Sequence, residues 1–237
     1  MLSKFIPVTI LFYYLEKTLA PPNKIKSNFQ DVYKREGIIG MMFFYLVRRI
    51  GKLQLLMTYG FYVYLMYQQE YSGKPEYTSN DLPKLSKWDN KFIVVSISIT
   101  IGIILRLWSF KVLDEFFTFD LTIKKDHKLI THGPYRYLIH PAYAASLFTC
   151  PYIIYVTTQF APFIKLYEPS LSIPYLTMSF LISTGHPSSI MFKILTASTI
   201  ITLSNRMRNE EAMMKKHFGK EWDEFVKTRW RIIPYLI

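Results

Sequence analysis

Long apolar blocks alternate with short, strongly basic connectors along this chain, and few folds tolerate that pattern. Five blocks, at 5–19, 52–68, 91–109, 142–161 and 188–204, approach the length of roughly 20 residues that carries a helix across a hydrocarbon core. Inside such a core the backbone N–H and C=O groups have no water to bond, so each block must satisfy itself as a helix. The third, "KFIVVSISITIGIILRLWSF", is the clearest. The expected class is therefore an all-α, polytopic transmembrane helical bundle of about five spans.

Charge orients the bundle. Segments 20–51, 110–141 and 205–237 hold 19 Lys and Arg residues, whereas 1–4, 69–90 and 162–187 hold 5. By the positive-inside rule the first set is cytosolic, which puts the N-terminus in the lumen and the C-terminus in the cytosol. The same distribution explains the net charge of +12 without nucleic acid, because the basic residues sit where juxtamembrane loops sit. The single cysteine, Cys150, excludes an internal disulfide and any cysteine-based zinc site. The first block ends in "APPNK", not in a small-residue cleavage site, so no cleavable signal peptide is expected. Neither a Gly-rich dinucleotide fingerprint nor a phosphate-binding loop is present. Two shorter apolar pieces complete the pattern. "GIIGMMFFYLV" (Gly37 to Val47) reads as an interfacial or re-entrant helix, and "LSIPYLTMSFLIS" (Leu171 to Ser183), broken by Pro174, as a re-entrant element or a loop cap.

The polar segments 110–141 and 205–237 flank the last two spans. Those spans are therefore expected to form a helical hairpin, whose closure brings the two segments together at the membrane face. The first contains "HGPYRYLIHPAY" (His132 to Tyr143), dense in polar rings; the second contains "NRMRNEEAMMKKHFGKEW". Arg206 and Glu210 are four apart on a helix expected to continue the fifth span and to stop at Gly219. They make either an ordinary surface ion pair or part of a site. Glu211 lies about 100° further round. Pro141 suits the first turn of the fourth helix. Tyr137 fits a tyrosine at headgroup level. His132 and His140 are available as metal ligands, but no cysteine and few carboxylates support them, so no metal is expected. Arg106, near the end of the third span, either snorkels to the interface or faces a cavity.

"HKLITHGPYRYLIHPAY" followed by "RMRNEEAMMKKHFGKEWDEFVKTRWRIIPYLI" resembles the isoprenylcysteine carboxyl methyltransferase family. Its pattern is roughly H-x-L-[VI]-T-x-G-x-Y-x-x-x-R-H-P-x-Y-x-G, then R-x-x-x-E-E, then F-G-x-E-[YW] and a closing I-P. "LRLWSFKVLDEFFTFDLTI" and "YYLEKTLAPPN" are similar to fungal-type members. The resemblance implies S-adenosylmethionine as methyl donor and a C-terminal prenylcysteine carboxylate, carried by prenylated CaaX-type proteins, as acceptor. It implies one integral membrane methyltransferase domain over 1–237, with N-terminal spans in 1–109 and a catalytic region in 110–237, in the endoplasmic reticulum membrane. By motif, cofactor binding falls to His127, Lys128, Leu129, Ile130, Tyr135, His140, Pro141, Ala142, Tyr143 and Glu210, and the acceptor carboxylate to Arg206. Ile139 stands where the family has Arg, Ala145 where it has Gly, and Leu113-Asp114 where it has Leu-Gly. Three other readings remain open: a phospholipid or other small-lipid methyltransferase, a sterol-reductase-like NADPH enzyme, and an inactive membrane scaffold. The Glu210-Glu211 pair suits a cationic cofactor better than the phosphates of NADPH.

Overall fold

The computed structural model describes residues 2–19, 51–117, 126–166 and 173–235, and over these the fold is all-α. Helices run over Leu2–Thr18 (α1), 51–71 (α2), Pro75–Thr78 (α3), Asn90–Leu113 (α4), Pro141–Leu147 (α5), Cys150–Phe160 (α6), Ile173–Gly185 (α7), Ile190–Phe218 (α8) and Lys220–Lys227 (α9). Among the described residues, two stretches are long and apolar enough to cross a bilayer: Asn90–Phe116, of 27 residues, and Pro141–Ile164, of 24. The blocks at 5–19, 52–68 and 188–204 fall in α1, α2 and α8. Helix α4 leaves Ile93, Ile97, Ile101, Ile104 and Trp108 exposed along one face, as a lipid-facing surface requires. The interfacial helix expected over 37–47 lies outside the described residues.

Three expectations need correction or refinement. The fourth block is two helices, because Pro151 cannot donate to the preceding turn; α5 ends at Leu147 and α6 restarts at Cys150. The piece over 171–183 is not broken by Pro174. That proline sits in the first turn of α7, where its missing N–H is an orphan in any case. Where a re-entrant element or a loop cap was expected, α7 is a helix of 13 residues.

The chain divides into two compact units. The first holds α1 as far as Glu16, the run from 51 through Thr100, and Thr149–Ser198. Its core gathers Leu65, Met66, Phe92, Phe160, Phe163 and Leu181. Asp89 caps α4 by accepting the Phe92 N–H at 2.7 Å, and its second carboxylate oxygen accepts the Tyr155 hydroxyl at 3.0 Å. The Thr157 hydroxyl donates to the Gly185 carbonyl at 2.8 Å, and a Cβ on Gly185 would collide with the Thr157 side chain, so α7 can pack on α6 only through a glycine.

The second unit holds Ile101–Phe148, the chain from Thr199 onward, and the end of α1 from Lys17. Helix α8 continues without interruption for 29 residues to Phe218, and Gly219, at φ 55°, turns the chain into α9. Trp222 and Phe225 of α9 bury themselves against Ile139, with Leu129 packed on the same cluster. Two left-handed residues shape the other side of this unit. Gly133, at φ 62°, lies so close to α4 that a Cβ would come within 2.9 Å of Val112 Cγ2. Asp114, at φ 44°, ends α4 in a conformation that glycine adopts more cheaply.

These two positions predict changes of opposite sign. Gly133→Ala should cost about 1–3 kcal/mol, from the left-handed backbone and the contact with Val112. Asp114→Gly should be neutral or gain up to about 1 kcal/mol. Thermal unfolding of the detergent-purified variants checks this: Tm falls in the first and holds or rises in the second. A fall in both would show that Asp114 makes contacts worth more than its backbone costs.

Candidate functional site

The site is built where the 132–143 loop meets the last residues of the second unit. Gly133–Arg136 form a short 3-10 turn, and Leu138 pairs in parallel with Trp230. Three backbone hydrogen bonds make the seam: Trp230 N–H to the Tyr137 carbonyl at 3.2 Å, Ile139 N–H to Trp230 at 2.8 Å, and His140 N–H to Arg231 at 2.9 Å. Arg229 Nε adds a bond to the Tyr135 carbonyl at 2.8 Å. The two polar segments are thus joined through main chain, which satisfies backbone groups that the irregular loop would otherwise leave unpaired.

From this seam the chain enters α5 at Pro141, and the first turn of α5 delivers Tyr143 to α8. The Tyr143 hydroxyl accepts from Arg206 Nε at 2.9 Å and donates to Glu210 Oε2 at 3.1 Å. Arg206 is only 6% exposed, so it is no surface ion pair. The i, i+4 spacing does put Arg206 and Glu210 on one face, but a phenol from another helix stands between them. A guanidinium held at Nε has its plane fixed, and a fixed plane is what a two-point grip on a carboxylate needs.

A second carboxylate works one position further along. Glu211 Oε1 lies 3.1 Å from His140 Nε2, and its Oε2 accepts from Arg231 at 3.1 Å. Burial alone would raise the Glu211 pKa. The hydrogen bond and charge of His140, with the charge of Arg231, outweigh that and hold it below the usual carboxylate range. His140 is 4% exposed, and its ring faces Tyr143 at 5.4 Å between centroids. Tyr135 is also buried; burial first, then the negative charge of Glu210, push its hydroxyl well above the ordinary phenol range, so it stays neutral.

Tyr135, His140, Tyr143, Arg206 and Glu210 therefore come together. The other residues picked out by motif make contacts of their own. The His127 ring packs on Phe116 at 4.8 Å and on Phe218 at 6.0 Å, and Lys128 is exposed. Leu129 joins the Trp222 cluster, Ile130 is half-buried, and Pro141 is fully buried at the start of α5. The Ala142 carbonyl accepts from Arg106 at 2.7 Å, and Arg106 Nε donates to the Thr18 carbonyl at 3.0 Å. Arg106 thus ties the end of α1 to the start of α5. His132 is exposed, and among the described residues no three His, Cys, Asp or Glu side chains gather as a metal site. Sequence reasoning gave no role to Arg229, Trp230 or Arg231, and took Glu211 only as half of an acidic pair. The run "TRWRIIP" carried the signal, since two arginines flanking a tryptophan beside an acidic pair need partners.

A cleft of about 680 Å³ opens beside Glu211, lined by Ile139, Trp222, Trp230, Arg208 and Arg231 among others. That size is in the range for cofactor-sized ligands, roughly 300–1,000 Å³. Among the described residues Glu210 uses only Oε2, which leaves Oε1 as an acceptor for a cationic group. The carboxylates of the cleft are Glu211 and Asp223; Glu210, Tyr135, His140 and Tyr143 lie outside its lining.

Searches of the curated proteins and of the solved structures give no match to this chain. A family model does match. Residues 94–167 fit the isoprenylcysteine carboxyl methyltransferase (ICMT) family, a stretch that includes His127, Tyr135, His140 and Tyr143 and stops short of Arg206 and Glu210.

Proposed function

We propose that the chain is an S-adenosylmethionine-dependent carboxyl methyltransferase that esterifies the C-terminal prenylcysteine of prenylated proteins. The observation that carries this reading is the buried Arg206, fixed through Tyr143 to Glu210. Glu210, His140, Tyr143 and Tyr135 would hold S-adenosylmethionine, which supplies a methyl group on a positively charged sulfur. Arg206 receives the acceptor carboxylate. That carboxylate is ionised at neutral pH, with a pKa of about 3.5, so no residue need act as a base. Tyr143 sets the guanidinium plane before the acceptor arrives, so less freedom is lost when it binds. Burial of Arg206 keeps competing water from the carboxylate. The proposed setting is the endoplasmic reticulum membrane, with five spans, α8 entering the cytosol near Arg206, and the prenyl chain reached from lipid.

If Arg206 positions the acceptor, Arg206→Ala abolishes most methyl transfer to N-acetyl-farnesylcysteine and leaves S-adenosylmethionine affinity near wild type. Arg206→Lys is also poor, because an ammonium cannot reproduce a planar two-donor grip. Near-normal turnover by Arg206→Ala would end the proposal. Glu210→Gln, losing a charged hydrogen bond worth about 1.5–3 kcal/mol, weakens S-adenosylmethionine binding by about tenfold or more. Calorimetry reads that directly, and unchanged affinity would remove Glu210 from the cofactor site. The five-span topology is read by single-cysteine labelling in sealed membranes, with Cys150 replaced. Positions near 80 and 220 should label from opposite sides, and labelling from the same side would refute it.

A further inference from the structure

The geometry points to Glu211 and Arg231 as positioning residues that fix His140 in one tautomer, a role that rests on the proposed function. Glu211 is an ionised carboxylate and has no proton to give. Its 3.1 Å contact with His140 Nε2 therefore requires the proton to be on Nε2. At a pH where the imidazole carries no charge, its acceptor lone pair is then at Nδ1. Nδ1 is thereby reserved for a donor group of the ligand, an amine or a sugar hydroxyl of the methyl donor. Arg231 matters because it can only donate. It occupies Glu211 Oε2 at 3.1 Å, so the carboxylate serves one donor on each oxygen. The backbone seam fixes the two ends of this relay, since the His140 N–H donates to the Arg231 carbonyl at 2.9 Å.

Glu211→Gln makes the relay testable, because an amide has one oxygen. Arg231 can use nothing but that oxygen, so the amide NH₂ is turned toward His140. Nε2 must then accept, and the proton moves to Nδ1. Removing the competitor as well, in Glu211→Gln with Arg231→Leu, lets the amide oxygen swing back and restores the Nε2 proton. Arg231→Leu alone leaves the tautomer unchanged, because Glu211 still accepts. ¹⁵N NMR of histidine-labelled full-length protein in detergent reads the tautomer, with His140→Gln assigning the signal. The single Glu211→Gln variant should also bind S-adenosylmethionine about tenfold more weakly, and the double variant should recover most of that loss. A merely structural ion pair gives no such recovery, since the second change would add damage to the first. His140 keeping its Nε2 proton in Glu211→Gln, or further weakening in the double variant, overturns the relay. The tautomer is read without ligand. Wild-type protein that binds no S-adenosylmethionine would instead overturn the proposed function.

Discussion

Burying the Arg206 guanidinium is the constraint on which the second unit depends. Removing such a charge from water costs several kcal/mol, recovered only if its donors and its countercharge are met at close range. Tyr143 meets part of that demand by accepting from Arg206 Nε and donating to Glu210, and Tyr143 reaches Arg206 because α5 starts at Pro141. The start of α5 is held in turn by Arg106 on the Ala142 carbonyl and by the seam between 137–140 and 230–231. The order of dependence thus runs from a backbone pairing at the end of the described chain to a charge inside the helix bundle. Apolar clustering of Ile139, Trp222 and Phe225 backs the seam and keeps water from its hydrogen bonds.

Much of this was legible in the sequence, for reasons that differ by element. Helix α8 and its stop at Gly219 follow from an apolar run, a charged continuation and a glycine that tolerates positive φ. Pro141 as a helix start follows from what proline lacks. The meeting of the two polar segments follows from connectivity. What escaped was any relation set by the third dimension alone. The i, i+4 spacing of Arg206 and Glu210 cannot reveal that a tyrosine 63 residues earlier bridges them. Nor can it reveal that Glu211, a third of a turn away, faces a histidine from another segment. Pro151 and Pro174 show the opposite failure: each sits in the first turn of a helix, α6 and α7, where the sequence suggested an unbroken span in one case and an interruption in the other.

The departures from the family pattern have physical counterparts. Ile139, in place of an arginine, is 7% exposed and part of an aromatic cluster, so an apolar side chain suits the position. Ala145 is fully buried inside α5. Asp114, in place of glycine, retains a glycine-like backbone angle, since a short polar side chain is among the few that adopt it. None of these three positions belongs to the Arg206–Tyr143–Glu210 chain.

The seam has a bearing on how the molecule is made. Arg229 and the Tyr135 carbonyl it holds are 94 residues apart, while each helix forms from neighbours four residues distant. Closing so large a loop must wait until the intervening segments are settled, because its entropy is lost before its contacts repay anything. The spans can therefore fold and insert with the site still open. The same ordering holds in reverse: contacts formed last and edged by exposed residues are the first released in partial unfolding. Heating or solubilising such a protein would open the seam well before its helical content declined.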